Sequence, residues 1–190
     1  MVRGLTLVEL LVVTGIIMIL SAVTIPNWNK GGERLKVTRA TYQIHQDIRR
    51  VQELTLADAK FKKCEGDYTH GYGIHFEVNT STYDLFGECD AYEDDGTLED
   101  SYVSVKEQKV RAHLEEGVEI TEIRGVDESS KEEIVDSLTV NFRPPNPTVL
   151  IRSKDSDDIY QKGKIRLEGG EFCRKIRVNK VGLVEISKCP

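Results

Sequence analysis

The chain has 190 residues, 31% of them charged, a formal net charge of −6 and a mean hydropathy of −0.37. Those values suit one globular domain with a modest core. The acidic balance gives no electrostatic reason for nucleic acid or anionic lipid as a main partner, so the composition counts against both.

The chain opens on a four-residue head, 1–4, with Arg3 as its one charge. An apolar run of 21 residues follows, Leu5 to Ile25, with one charge in it, Glu9. At about 1.5 Å per residue it spans roughly 31 Å as a helix, the thickness of a bilayer's hydrocarbon core. A secretory signal peptide is normally shorter and ends in a small-x-small site, and Ser21-Ala22-Val23 is a poor one. An ordinary anchor fits the length and Arg3 but leaves Glu9 unexplained, since a carboxylate in lipid is costly and marks function by default. Residues 5–25 are therefore expected to be a transmembrane helix.

Pro26 removes a helical hydrogen bond, and Gly31-Gly32 are poor helix residues, so 26–32 is expected to be a kink or joint. Trp28 and Lys30 suit an interface there. Helical periodicity resumes over 33–60, where Val37, Ala40, Ile44, Ile48, Val51 and Leu54 recur at three- and four-residue steps. His45 lies on or beside that face and reads as a packed or surface histidine.

From residue 61 to 190 the chain reads as a β-rich globular domain. Gly73–Val78 and Tyr83–Phe86 form a hairpin pattern around Thr80-Ser81-Thr82. Further strands are expected at 102–105, 118–123, 138–142, 148–152 and 164–167. A closing hairpin, 174–179 and 183–187, turns at Gly182. Pro144-Pro145-Asn146-Pro147 breaks any strand between Phe142 and Thr148. The segments 88–100, 127–136 and 154–158 read as exposed loops. The expected fold class is α+β: a long N-terminal helix, transmembrane in its first half and amphipathic in its second, packed on an antiparallel β-sheet domain.

Cys64, Cys89, Cys173 and Cys189 are even in number, form no C-x-x-C pair and all follow the apolar run. In an exported domain they read as two disulfides. Of three possible pairings, Cys64–Cys89 with Cys173–Cys189 is the plainest, because each would staple a loop or hairpin.

The acidic cluster around Gly96 (Asp90, Glu93, Asp94, Asp95, Glu99 and Asp100) fails the EF-hand spacing and reads as a solvated loop rather than a calcium site. Cys64, His70, His75 and Cys89 lack the spacing of a common zinc motif. No nucleophile elbow, P-loop, dinucleotide fingerprint or H-E-x-x-H is present. The sequence thus gives no support for an enzyme, and no catalytic residue, metal or cofactor is expected.

The string from Arg3 to Val13, RGLTLVELLVV, resembles the class III signal of type IV pilins and pseudopilins. That resemblance implies cleavage between Gly4 and Leu5 by a prepilin peptidase, N-methylation of Leu5, and an assembly role for Glu9, whose carboxylate would pair with the new amine of a neighbouring subunit. Leu5 stands where the family usually has Phe. Pro26 falls where these proteins carry a proline. The implied partners are the peptidase, other pilin or pseudopilin subunits, an inner-membrane assembly platform and the lipid bilayer. The implied location is the bacterial inner membrane, single-pass, with the C-terminal domain outside the cytoplasm, and then a filament in the periplasm or at the cell surface. Weaker resemblances, at Asp47–Gln52, Val140–Pro144 and Arg174–Val184, are to minor pseudopilins of the GspH/FimT type. The function implied is a structural subunit of a type II secretion pseudopilus or a type IV pilus. Two other readings stand beside it. One is a DNA-binding minor pilin of a natural-transformation pilus, which needs a basic face from residues such as Arg166, Arg174, Lys175 and Arg177. The other is a generic membrane-anchored exported domain.

Overall fold

The computed structural model of the protein describes residues 6–57, 71–88, 109–143, 148–154 and 159–189; the side chains of 23–30, 88, 109 and 148 lie outside that description. The one helix among these residues, α1, runs Leu7–Leu56. It starts where Thr6 turns extended (φ −76°, ψ 150°) and its hydroxyl accepts the Glu9 N–H at 3.3 Å, satisfying an amide that has no partner within the helix.

Ten strands follow: β1 Gly71–Glu77, β2 Thr82–Glu88, β3 Lys109–His113, β4 Glu119–Val126, β5 Glu132–Val135, β6 Ser137–Arg143, β7 Thr148–Arg152, β8 Lys162–Gly169, β9 Phe172–Asn179 and β10 Val184–Lys188. They form two five-stranded antiparallel sheets, in the orders β3-β2-β1-β6-β7 and β10-β9-β8-β4-β5.

Alternation decides which faces turn inward. In the first sheet Ile74 lies opposite Leu85 and Val140, and Phe76 opposite Tyr83 and Leu138, so one face is apolar across five strands. In the second, Ile165 lies between Ile123 and Ile176. Strict alternation would put Ile120 and Ile123 on opposite faces. A bulge between Ile120 and Glu122 returns both to the inside, where both are fully buried.

The second half of α1 completes the core. Val37, Ala40, Ile44, Ile48 and Val51 are buried in one cluster with the inner faces of both sheets. The helix touches β1 and β6 of the first sheet and β8, β9 and β10 of the second. Two glycines set the closeness of these layers. A Cβ on Gly163 would strike the Leu138 side chain of the opposite sheet, and one on Gly169 would strike Val37 of α1.

Polar ties fix the helix on this platform. Gln43 Nε2 donates to His113 O (3.1 Å) and Gln52 Nε2 to Gly182 O (2.7 Å). Lys36 Nζ donates to Glu116 O (3.1 Å), and the Tyr83 hydroxyl donates to the Asp47 carboxylate.

This architecture corrects the α+β expectation in three respects. The β part is two separate five-stranded sheets rather than one. The backbone stays helical through 26–32 instead of breaking there. A proline kinks a helix and two glycines cost it about 1 kcal/mol each, but cooperative turns on both sides carry it through. Finally, among the described residues no helix is long and apolar enough to cross a membrane. That finding overturns both the transmembrane half of the helix and the single-pass inner-membrane location.

Candidate assembly interface

The first part of α1 stands clear of the domain. From Leu7 to Leu20 its large apolar side chains are exposed, Leu7 to 80% and Met18 to 73%. Thr14 turns its hydroxyl back onto the Leu10 and Leu11 carbonyls, both at 3.0 Å, so its polar atom is satisfied within the helix. The rod so formed is apolar on all sides, which is the character of a helix that meets other apolar surfaces around its whole circumference.

Glu9 is exposed in the first turn of this rod. Its backbone N–H is held by Thr6, and its carboxylate sits at the positive end of the helix dipole. Thr6-Leu7-Val8-Glu9 has the T-x-x-E spacing of a capping box, a signal that the sequence reading passed over. The Thr6 hydroxyl makes the cap through the Glu9 backbone, and the Glu9 carboxylate adds a charge that suits the first turn. Gly4 and Leu5, the expected cleavage and methylation positions, lie outside the described residues, as does the Pro26 side chain.

The outer face of the second sheet gathers charge. Lys164 lies between Arg124 and Arg177 across the strands, and Arg166 between Glu122 and Lys175. Of the four residues named for a DNA-binding face, the structure brings Arg166, Lys175 and Arg177 together here. Arg174 is opposite Leu167 and Lys188, on the other side of the pleat.

Carboxylates interleave with these cations. Arg124 donates to Glu122 at 2.7 Å and to Glu132 at 3.4 Å, Lys164 also donates to Glu132, Arg166 donates to Glu168, and Arg177 donates to Glu185 at 3.3 Å. The hydrogen bond from Arg124 holds the Glu122 carboxyl below its ordinary range, and that from Lys164 does the same for Glu132. A duplex would have to compete with these pairs for four of the five cations of the face, so the basic face that the DNA reading requires is largely neutralised.

Cys173 and Cys189 are joined in a disulfide, Cα atoms 5.7 Å apart, at the open end of the β9–β10 hairpin. Cys64 and Cys89 lie outside the described residues, as do His70, the acidic cluster around Gly96 and the expected strand 102–105. His75 is 2% exposed on β1, with Nδ1 2.8 Å from Thr139 Oγ1, a satisfied buried polar group. Among the described residues no group of acidic, histidine or cysteine side chains is placed to hold a metal. Comparison with family models, with characterised proteins and with solved structures finds no match to this chain.

Proposed function

We propose that this chain is a structural subunit, a minor pilin or pseudopilin, of a type II secretion pseudopilus or a type IV pilus. Prepilin peptidase would cut between Gly4 and Leu5, and the new N-terminus would be methylated. The processed chain would then assemble with other pilin or pseudopilin subunits at an assembly platform, through its N-terminal helix. The observation that carries this reading is the exposed apolar rod Leu7–Leu20, continuous with a helix whose other end is built into the core. A surface of that size is stable in water only when something covers it. Neighbouring copies of the same helix cover it with matching chemistry, and Glu9 then has a cationic partner in the N-terminus of the next subunit.

The test is a pair of measurements on the full chain co-expressed with a prepilin peptidase. Intact mass should show a protein beginning at Leu5 and carrying one additional methyl group. Glu9→Leu should be cut normally yet be missing from the sheared filament fraction. A chain still beginning at Met1, or one cut near residue 22, contradicts the reading.

A further inference from the structure

We propose that the two edges of the β10-β9-β8-β4-β5 sheet are a complementary docking pair, through which a second copy of this chain adds edge to edge. The inference rests on the charges and edges of the sheet and is independent of what the N-terminal helix does. The first observation is that neither edge strand has a second partner strand among the described residues. β10 is hydrogen-bonded only to β9 and β5 only to β4 among the described strands.

The second is charge. The β9–β10 hairpin, 172–189, carries Arg174, Lys175, Arg177, Lys180 and Lys188 against the single carboxylate Glu185, a net of +4. The β4–β5 segment, 119–136, carries seven carboxylates against Arg124 and Lys131, a net of −5. Strands lie about 4.8 Å apart, so the two edge strands are roughly 19 Å from one another, and even β9 and β4, with β8 between them, are roughly 10 Å apart. Both separations exceed the screening length of about 8 Å at physiological salt, so each edge presents its own sign to a partner.

Charged edge strands ordinarily guard against edge-to-edge association. Here the signs make that guard selective. Two β10 edges repel, two β5 edges repel, and a β10 edge attracts a β5 edge. Apolar side chains supply contact beside these charges. Ile134 on β5 is 65% exposed, and Val181 and Leu183 beside β10 are 79% and 52% exposed.

Geometry sets the consequence. An antiparallel sheet with an odd number of strands has its two edge strands running in the same direction. A second copy in the same orientation therefore meets the first as a parallel strand pair, with the opposite edge left free for a third. Such a head-to-tail contact builds a ring if its rotation closes and an open filament if it does not.

Sedimentation of the full chain in a mild non-ionic detergent, which occupies the apolar helix, tests this. Glu133→Lys with Asp136→Lys reverses the acidic edge, and Lys180→Glu with Lys188→Glu reverses the basic one. All four side chains are exposed and make no hydrogen bond or ion pair among the described residues. Wild type should self-associate to species larger than a dimer, about tenfold more weakly in 0.5 M than in 0.05 M salt. Each double variant alone should be monomeric. A one-to-one mixture of the two should associate again, because the native basic edge of one variant meets the native acidic edge of the other and the two reversed edges are also opposite in sign. Glu133→Gln with Asp136→Asn serves if a reversal fails to fold, and should weaken association without abolishing it. A monomeric wild type, salt-independent association, variants that associate like wild type, or a mixture that stays monomeric each overturns the proposal. Glu9→Leu should associate in this assay as wild type does, so a failure of the helix reading leaves this result intact.

Discussion

The Tyr83–Asp47 bond offers the sharpest measurement of how α1 is held to the sheets. Tyr83 is 2% exposed on β2, and its hydroxyl donates to a carboxylate on the helix. A hydrogen bond to a charged group contributes about 1.5–3 kcal/mol, and the partial exposure of Asp47 puts this one near the lower end. Tyr83→Phe should therefore cost about 1.5 kcal/mol, since the carboxylate left behind can still be solvated. Asp47→Ala should cost more, about 2 kcal/mol, because it strands a buried hydroxyl with only Gln43 beside it. In the double variant neither partner remains, so the coupling from the cycle should be about 1.5 kcal/mol. Urea unfolding of the full chain in detergent, followed by circular dichroism, gives all four stabilities. An independent sign comes from pH. Burial first, and then the bond to Asp47, push the Tyr83 pKa well above its ordinary value of 10.0. The phenol ionises more easily unfolded than folded. Its contribution is thus complete below pH 10 and is lost as pH rises above that, so Tyr83→Phe should flatten the alkaline limb of the stability curve. A coupling under about 0.5 kcal/mol with an unchanged alkaline limb would refute the assignment of this bond as a tie between layers.

Two further outcomes follow from the same structure. The Cys173–Cys189 bridge closes a loop with a sequence separation of 16, worth about 3 kcal/mol on the chain-entropy model. Cys173→Ser with Cys189→Ser should lower stability by about that much with the secondary structure retained, and a loss below about 1 kcal/mol would show that β8 alone holds the hairpin. On the acid side, Glu122 and Glu132 are more acidic folded than unfolded, so their contribution is complete above their ordinary pKa of 4.5 and is lost as pH falls below it. Tm recorded from pH 6 to pH 3 should fall less steeply in Lys164→Ala, which removes the first cause of the Glu132 shift; an identical slope contradicts that cause.

What the sequence revealed depended on whether a signal was local. The recurrence from Val37 to Val51 marked a buried helix face because each apolar position repeats the turn of the helix, and those side chains lie in the core. The closing hairpin was legible from alternation around Gly182, whose φ of 82° requires glycine. β5 was read as loop because Glu132-Glu133 make it look solvated. It is a strand only because β4 offers it an edge and Val135 meets Ile123 inside. β3, over a segment that was given no assignment, pairs with β2 and is pinned through Arg111, which donates to the buried Asp84 at 3.0 Å. The division into two sheets had no local signal at all. β4 leaves the first sheet's neighbourhood and pairs with β8, some forty residues further along the chain, and no pattern within either strand records that choice. At the candidate interface, the apolar run was plain, while the cap that Thr6 makes over the Glu9 N–H was visible as T-x-x-E and was eclipsed by the cost of the Glu9 charge.

The way α1 spans both sheets determines the smallest piece of this chain that can fold. Among the residues with described side chains, none before Gly31 is buried in the core, whereas Val37, Ala40, Ile44, Ile48 and Val51 fill the space between the helix and the two sheets. A fragment beginning at Gly31 keeps every core residue among those described, while one beginning at Gly71 loses the helix side chains that cover the inner faces of both sheets. Folding of the β part is therefore obligatorily coupled to a segment that precedes it in the chain. A newly made chain carries that segment before any strand exists, so its apolar face is at hand when the sheets close around it.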